Sequence, residues 1–183
     1  MKKLLVIVDM QKDFIDGSLA NKDAKAIVPG ICDLIKEWEG DIVCTLDTHV
    51  DDYLESQEGK HLPVEHCIYQ KEGWLLDANI RKAISEKNKP GEAWFINKPT
   101  FGSVVLGSFC EDEDKEYDEV IFVGTCTDIC VVSNVLLFKA FNPETPLAVY
   151  ADLCAGLTPE KHEAALNVMQ SCQVDIRYYT EGK

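Results

Sequence analysis

The stretch VIFVGTCTDICVVSNVLLFKAF at residues 120–141 joins a short β-branched apolar run to a longer apolar segment through a glycine-containing turn. The run at 120–123 predicts a buried strand, which Gly124 ends. Residues 128–141 predict a long apolar helix. A strand that passes through a tight turn into a helix is the repeating unit of parallel α/β proteins. The stretch therefore favours that fold class.

The same alternation of strand-like and helix-like segments recurs along the chain. Further strands are predicted at residues 4–8, 41–46, 93–96, 147–150 and 174–178. Further helices are predicted at 29–39, 74–85 and 102–110 and after Thr158, and a long polar connection spans roughly residues 48–72. Six strands that alternate with helices imply right-handed parallel βαβ units. We expect a single domain over residues 1–183, a Rossmann-like three-layer α/β/α sandwich with a six-stranded, mostly parallel open sheet.

Two of these helices carry recognisable end signals. Pro29 is placed in the first turn of the helix at 29–39, and Gly40 follows its end. Thr158 and Pro159 form the cap and first turn of the last helix. The apolar stripe of the first is Ile31, Leu34, Ile35 and Trp38. The apolar face of the last is Ala165, Val168, Met169 and Cys172.

The composition is that of an ordinary globular chain with a strong acidic excess. The 183 residues are 46% hydrophobic, and 18 Lys and Arg against 32 Asp and Glu give a net charge of −14. Such a surface repels phosphate backbones and anionic lipid, so we expect neither nucleic acid nor a membrane as partner. The acidic residues 111–119 are expected to form a solvated loop.

We expect neither a targeting segment nor a membrane-spanning run in this sequence. The apolar run that follows Lys3 ends at Asp9, which is too short for a signal peptide. A cytoplasmic location is the expectation. Because no secretory signal is seen, the eight cysteines are expected to be buried thiols and not a disulfide framework. They form no CxxC pair, which argues against a zinc ribbon or a thioredoxin-type motif.

Reactive residue types follow three of the predicted strands. Ligands of parallel α/β sheets bind beyond the carboxyl ends of the strands, where Asp9, Lys98 and Cys130 occur. A cysteine in the first turn of a helix meets unsatisfied N–H groups and the positive end of the dipole, which lower its pKa. Cys130 is a candidate nucleophile, with Asp9 as its base and Lys98 balancing the negative charge. Each residue also has a purely structural interpretation. Asp9 would be a helix-capping acid, Lys98 a lysine that reaches solvent and Cys130 a buried thiol.

A candidate metal site follows the second strand. Asp47 and His49 are two apart in extended chain, so their side chains point the same way. Glu58, His61 and His66 follow, and three of the four histidines of the chain fall in this connection. Carboxylates and imidazoles suit zinc, iron or manganese. The alternative is that surface histidines accumulate in a polar loop.

Three motifs occur in order at these strand ends: VDMQKDF at 8–14, KPTFGS at 98–103 and GTCTDICV at 124–131. They resemble the segments that carry the catalytic Asp, Lys and Cys of the isochorismatase-like cysteine hydrolase family, and within it the nicotinamidases. DTH at 47–49 and LPVEHC at 62–67 resemble the nicotinamidase metal loop. The resemblance runs along nearly the whole chain.

The resemblance implies hydrolysis of nicotinamide to nicotinate and ammonia through a thioester on Cys130, with Asp9 and Lys98 as its catalytic partners. It also implies a cis peptide between Thr125 and Cys126 and an oxyanion hole formed by the backbone N–H groups of Cys126 and Cys130. Many relatives have a small residue where Cys126 stands, so this second thiol is either a small filler or redox-sensitive.

The resemblance also implies a divalent metal, with zinc as the first expectation and iron or manganese as alternatives. Three implied ligands are Asp47, His49 and His66. The fourth position varies between His and an acid in the family, and Glu58 is preferred to Glu55 or His61. Phe14 and Trp74 are the expected contacts to the substrate ring.

Other interpretations remain open. The three catalytic residues determine the type of reaction but not the ring that the substrate carries, so another small carboxamide or carbamoyl compound is an alternative substrate. A non-catalytic metal-binding or redox module is a second alternative, and a structural or interaction protein is a third. Relatives are often oligomers, so a homo-oligomer is a possible assembly.

Overall fold

The computed structural model describes residues 1–87, 93–110 and 116–180. Its sheet has six strands, and every neighbouring pair is parallel, in the order β3-β2-β1-β4-β5-β6. The strands are β1 (Lys3–Val8), β2 (Asp41–Asp47), β3 (Ala93–Lys98), β4 (Glu119–Thr125), β5 (Leu147–Ala155) and β6 (Val174–Arg177). The predicted α/β class is confirmed, and the open sheet is parallel throughout.

Helices cover both faces of the sheet. They are α1 (Lys12–Ile15), α2 (Lys22–Glu37), α3 (Gln57–His61), α4 (Ala78–Lys87), α5 (Val104–Gly107), α6 (Val132–Phe141) and α7 (Pro159–Ser171). Side chains of α2 and α4 pack with Leu5 and Ile7 on one face. Side chains of α5, α6 and α7 pack with Leu4, Val6 and Val8 on the other. Because β1 is buried on both faces, its sequence is a continuous apolar run. Among the described residues, no helix is both long and apolar enough to cross a membrane.

The first long helix begins a full seven residues before the predicted start. Helix α2 starts at Lys22, where the Asn21 side chain accepts the Asp23 N–H at 2.9 Å, and Pro29 lies inside it. The prediction of Pro29 in the first turn is therefore wrong. The Asn21 cap and the buried residues Ala24 and Val28 compensate for the backbone hydrogen bond that proline removes. The predicted apolar stripe of this helix is buried.

Other boundaries also differ from the sequence-based expectation. The helix predicted at 74–85 begins at Ala78, and the segment predicted at 102–110 is α5 followed by a 3₁₀ turn. On α7, Ala165 and Met169 are buried, but Val168 and Cys172 are exposed, so that part of the predicted face is wrong. Of the acidic segment predicted as a loop, residues 111–115 lie outside the described residues and Glu119 begins β4.

The sheet order places the candidate residues side by side. β3, β2, β1 and β4 are consecutive neighbours, so their carboxyl ends form one continuous edge. β1 and β4 approach closely at Gly124, which has φ of 123°, and a Cβ there would lie 2.2 Å from the carbonyl oxygen of Val8. Only glycine fits this backbone conformation and this spacing. The close approach brings the end of β1 beside the turn that follows β4.

Candidate active site

An acid, an amine and a thiol meet at the carboxyl edge of the sheet. Lys98 Nζ lies 2.7 Å from Asp9 Oδ2 and 3.5 Å from Cys130 Sγ. All three residues are buried, and Asp9 and Lys98 are completely so. The structure therefore brings the three residues singled out in the sequence into one cluster.

The two carboxylate oxygens of Asp9 have different partners. Its φ of 49° lies in the left-handed region, which few non-glycine residues adopt. Thr45 Oγ1 donates to Asp9 Oδ1 at 2.7 Å, whereas Oδ2 has an ion-pair contact with Lys98 but no aligned hydrogen bond from the described residues. Burial raises the pKa of the Asp9 carboxyl, and the Lys98 charge opposes that rise. Such a carboxyl suits repeated uptake and release of a proton.

Cys130 lies in a π-helical turn, Thr127–Val131, that leads into α6. The sequence-based expectation that this helix start lowers the thiol pKa is wrong. Burial and then the negative charge of Asp9 raise the pKa of Cys130 well above its ordinary value, and the Lys98 charge offsets only part of that effect. The thiol therefore keeps its proton at rest, and a base must take that proton before the sulfur can attack.

The peptide bond between Thr125 and Cys126 is cis, as the family resemblance implied. Thr125 Oγ1 donates to Ala155 O at 3.1 Å, which ties this bond to β5. Cys126 lines the same cavity as Cys130. Burial raises the pKa of Cys126 to about 11, so this second thiol is also protonated at neutral pH.

Four candidate metal ligands converge beside Lys98. They are Asp47, His49, Glu58 and His66, and their ligand atoms all lie within 4.8 Å of one another. Asp47 Oδ2 is 3.1 Å from His49 Nε2 and 3.4 Å from His66 Nε2. Glu58 Oε1 is 3.6 Å and 3.7 Å from the same nitrogens. Zinc bonds of about 2.0–2.2 Å place tetrahedral ligands about 3.3–3.6 Å apart, so the set fits a divalent cation.

The surroundings of the cluster support that assignment. The ring nitrogen Nδ1 of His66 is 2.8 Å from Val64 O; donation there leaves Nε2 free as a ligand, as is usual for metal-binding histidines. Burial alone would raise the pKa of Asp47, but its contacts with the two histidines and with Lys98 outweigh burial and hold it well below the ordinary range. Asp47 Oδ1 is 3.2 Å from Lys98 Nζ, so Asp47 connects the metal-ligand cluster to the cluster around Cys130.

Neither alternative fourth ligand belongs to the cluster. Glu55 is exposed in the 3₁₀ turn Tyr53–Glu55. His61 is exposed at the end of α3, and its Nδ1 lies 2.9 Å from Gln57 O. Glu58, from the first turn of the same short helix, is the acid that reaches the two histidines.

A cavity of about 190 Å³ joins the two clusters. This is smaller than the roughly 300–1,000 Å³ of sites for drug-sized ligands, so the cavity suits a small compound. The Phe14 ring lies in its wall, with its centroid 5.7 Å from that of His66. Trp74 does not line the cavity, because its indole N–H donates to Thr48 Oγ1 at 2.9 Å. The full lining is Phe14, Leu19, Asn21, Asp47, Glu58, Leu62, His66, Phe101, Cys126, Ile129, Cys130 and Leu157.

Several supporting residues were missed in the sequence. The Tyr53 ring packs on both candidate histidines, with centroids 4.7 Å from His49 and 5.0 Å from His66. Asn134 Nδ2 donates to Cys130 O at 2.7 Å and so fixes the thiol-bearing turn. The buried polar residues Thr45 and Asn134 stand within apolar segments, and such interruptions are the signal that could have drawn attention to them.

An α/β sheet with a cysteine, an acid and a lysine at its carboxyl edge is the arrangement of a cysteine-dependent hydrolase. The family comparison agrees with it: a family model described as Isochorismatase domain matches residues 3–177. The chain belongs to the isochorismatase family. Together with its relatives, this membership makes it an amide-bond hydrolase with a small-molecule substrate.

The relatives come from several microorganisms. The chain is 28% identical to the nicotinamidase/pyrazinamidase of Mycobacterium tuberculosis, over 95% of this chain and 97% of that protein. The crystal structure of pyrazinamidase/nicotinamidase from Streptococcus mutans matches with a TM-score of 0.83 at 25% identity, covering 96% and 99% of the two chains. The pyrazinamidase of Pyrococcus horikoshii in complex with zinc matches with a TM-score of 0.79 at 23% identity, covering 98% and 100%.

Proposed function

We propose that this protein is a nicotinamidase, which hydrolyses nicotinamide to nicotinate and ammonia. The observation that carries the proposal is that Cys130 and three members of the metal-ligand cluster, Asp47, Glu58 and His66, line one small cavity. Lys98 lies behind Cys130 and contacts both the thiol and Asp9. The Mycobacterium tuberculosis and Streptococcus mutans relatives, which are named for this activity, support it.

In the proposed reaction, Cys130 Sγ attacks the carboxamide carbon while its proton passes to Asp9. The tetrahedral intermediate then collapses, the carbon–nitrogen bond breaks, and Asp9 gives the proton to the departing nitrogen to release ammonia. Water next loses a proton to Asp9 and attacks the thioester, which releases nicotinate. The proton returns to the sulfur. One acid serves as base and then as acid, as its raised pKa allows.

Negative charge develops on the carbonyl oxygen in both halves of this reaction, first that of the amide and then that of the thioester. The backbone N–H groups of Cys126 and Cys130 are the proposed donors to it, and each such donor is worth about 3 kcal/mol in the transition state. Lys98 contacts Asp9 and Cys130 directly. Its charge therefore stabilises the ionised forms of both groups during proton transfer.

The metal-ligand cluster lies where it can orient the substrate ring. A divalent cation, with zinc preferred and iron or manganese as alternatives, would supply a Lewis-acid contact to the pyridine nitrogen, directly or through water, in addition to its four protein ligands. Asp47, His49, Glu58 and His66 would hold it. Phe14, in the wall beside His66, is the proposed contact to the face of the ring.

The decisive experiment measures ammonia and nicotinate release from nicotinamide before and after removal of metal by a chelator. Zinc, iron and manganese are then returned separately. Cys130→Ala is expected to be inactive, and Cys172→Ala, which changes an exposed thiol, is expected to retain full activity. Metal-loaded protein that hydrolyses other small carboxamides or carbamoyl compounds but not nicotinamide would overturn the proposed substrate. Hydrolysis by Cys130→Ala would overturn the proposed nucleophile.

A further inference from the structure

Strand β1 ends before its neighbour β2 does, so the last residues of β2 have no β1 backbone to pair with. The Asp9 N–H donates to Thr45 O at 3.2 Å, as in regular parallel pairing. The ladder then stops, because Asp9 turns into the left-handed region and its carbonyl accepts the Gln11 N–H at 2.8 Å. The N–H and C=O of Asp47 must therefore be satisfied by something other than the backbone of β1.

The side-chain amide of Gln11 takes the place of the missing strand. Its Oε1 accepts the Asp47 N–H at 2.7 Å, and its Nε2 donates to Asp47 O at 2.8 Å. Nε2 also donates to Trp74 O at 2.8 Å. A primary amide offers an acceptor and two donors in one plane, so a single side chain can satisfy both the N–H and the C=O of Asp47. Gln11 is completely buried, so a bond lost here is not replaced by water.

Asp13, two residues further along, holds the second ligand segment. Its Oδ2 accepts the N–H of Cys67 at 2.7 Å, directly after the candidate ligand His66. Cys67 has φ of 46°, a conformation that needs support from its surroundings. A Cβ on Gly73 would lie 2.0 Å from the same oxygen, so the carboxylate is closely enclosed.

We propose that Gln11 and Asp13 are positioning residues for the candidate metal ligands Asp47 and His66. The proposal rests on the metal site of the proposed function. Neither side chain belongs to the ligand cluster; Gln11 acts through the backbone of Asp47 and Asp13 through the peptide that follows His66. The segment that presents Asp9 to the thiol thus also aligns both halves of the metal site.

The test uses zinc alone as the probe. Its dissociation constant is measured by competition with a chromophoric chelator for the wild type, Gln11→Met and Asp13→Asn, and the thermal unfolding of each metal-free protein is recorded. Loss of either contact is expected to weaken zinc binding about 10- to 100-fold, as for other residues that orient metal ligands. Gln11→Glu is a near-isosteric second variant, which keeps an acceptor for the Asp47 N–H but loses both donors.

Tyr117→Phe is the matched control. Tyr117 is buried and donates to Asp41 Oδ2 at 2.8 Å, at the opposite end of β2. Its loss is expected to lower the stability of the metal-free protein and leave zinc affinity unchanged. Wild-type zinc affinity in the Gln11 and Asp13 variants, or a weakening no larger than that of Tyr117→Phe, overturns the proposal, as does a wild type that binds no zinc.

If Gln11→Met does not fold, Gln11→Glu and Asp13→Asn decide the matter by the same comparison. A wild type that binds zinc but leaves nicotinamide intact contradicts the proposed function and still allows the positioning effect to be measured. A wild type that hydrolyses nicotinamide, with zinc affinity unchanged in all three variants, contradicts the positioning proposal alone.

Discussion

Lys98 is a completely buried cation that lies between two carboxylates. Its Nζ is 2.7 Å from Asp9 and 3.2 Å from Asp47. Burial alone would lower the pKa of Lys98, but the charge of Asp9 and the further negative charges around it outweigh burial and raise it above its ordinary value. The amine therefore remains charged at neutral pH. Because the two acids share it, the balance of charge at this edge of the sheet depends on that one residue.

Replacing Lys98 by Met tests this dependence. The variant keeps most of the side-chain volume but leaves Asp9 and Asp47 without their shared cation, and breaking a buried ion pair costs about 3–5 kcal/mol. We expect the free energy of unfolding of the metal-free protein to fall by about that amount. Adding Asp9→Asn should recover part of the loss, because it removes one of the two carboxylates. Urea unfolding measures both effects, and unchanged stability of Lys98→Met would contradict the expectation.

The raised pKa of Cys130 predicts how its alkylation depends on pH. Only the thiolate reacts with iodoacetamide, so modification of Cys130 should accelerate about tenfold per pH unit, with no plateau up to about pH 9. The Asp9 charge raises the thiol pKa, so Asp9→Asn should shift the profile to lower pH. Peptide mass spectrometry assigns the modified residue, with Cys130→Ala as the blank. A plateau near neutral pH in the wild type would show a resting thiolate instead.

At the residue scale, sequence reasoning located the reactive groups but not their electrostatics. Asp9, Lys98 and Cys130 could be predicted because each follows a strand, and the strand ends of a parallel sheet share one edge. The pKa of Cys130 could not, because its burial and its distance from Asp9 depend on chain segments far apart in sequence. The role of Gln11 was missed because its side-chain amide takes the place of the backbone of β1, which ends before β2 does.

At the scale of elements, the strands were predicted better than the irregular segments. β5 was predicted at 147–150 but extends to Ala155, because its pairing with β4 shifts register between Phe122 and Gly124. Asp152 interrupts the apolar pattern there, and its carboxylate accepts the backbone N–H groups of Tyr179 and Thr180 at 2.7 Å and 2.9 Å. A polar residue inside a strand thus marks a tertiary contact that periodicity does not reveal.

Glu119 joins three strands at the opposite edge of the sheet. Its carboxylate lies 3.0 Å from Lys3 Nζ on β1 and 2.7 Å from Arg177 Nη1 on β6. Burial alone would raise the pKa of Glu119, but the hydrogen bonds from Arg177 and Lys3 outweigh burial and lower it. Because the pKa of Glu119 is lower in the folded state than in the unfolded state, its ionised carboxylate stabilises the fold at pH values above the unfolded pKa of about 4.3. That stability is lost as the pH falls through the folded-state pKa.

Glu119→Gln is therefore expected to destabilise the protein at neutral pH and not in acid. We expect a loss of about 0.5–1 kcal/mol, since the charges are partly exposed to solvent. The difference from the wild type should shrink as the pH falls below about 4.3 and vanish once the pH is below the lowered folded-state pKa of Glu119. Asp175→Asn is the matched control, because Asp175 pairs with the same arginine but its side chain is 67% exposed; its effect should be smaller. A loss for Glu119→Gln that persists in acid would assign the effect to packing.

At the scale of the whole molecule, the sheet has one apolar core on each face. The candidate metal site, however, is built largely from the connection between β2 and α4, which lies mostly outside these cores. Between β2 and α4, regular structure is limited to α3 and the 3₁₀ turns at Tyr53–Glu55 and Glu72–Trp74. Three of the four candidate metal ligands lie in this connection. Composition and periodicity predicted it as a long polar loop; its folded path depends on side-chain contacts that no local pattern encodes.

A bound cation should therefore stabilise the entire molecule. At a free concentration about 100-fold above its Kd, a ligand that binds only the folded state adds about 2.7 kcal/mol, so zinc should raise the unfolding temperature and a chelator should reverse the rise. His66→Ala removes a ligand and should abolish the shift. His61→Ala changes an exposed histidine outside the cluster and should leave it intact. Equal zinc-dependent shifts in the two variants would place the ion elsewhere, since His66 faces the carboxylates of Asp47 and Glu58 that would balance its charge and His61 lies outside that cluster.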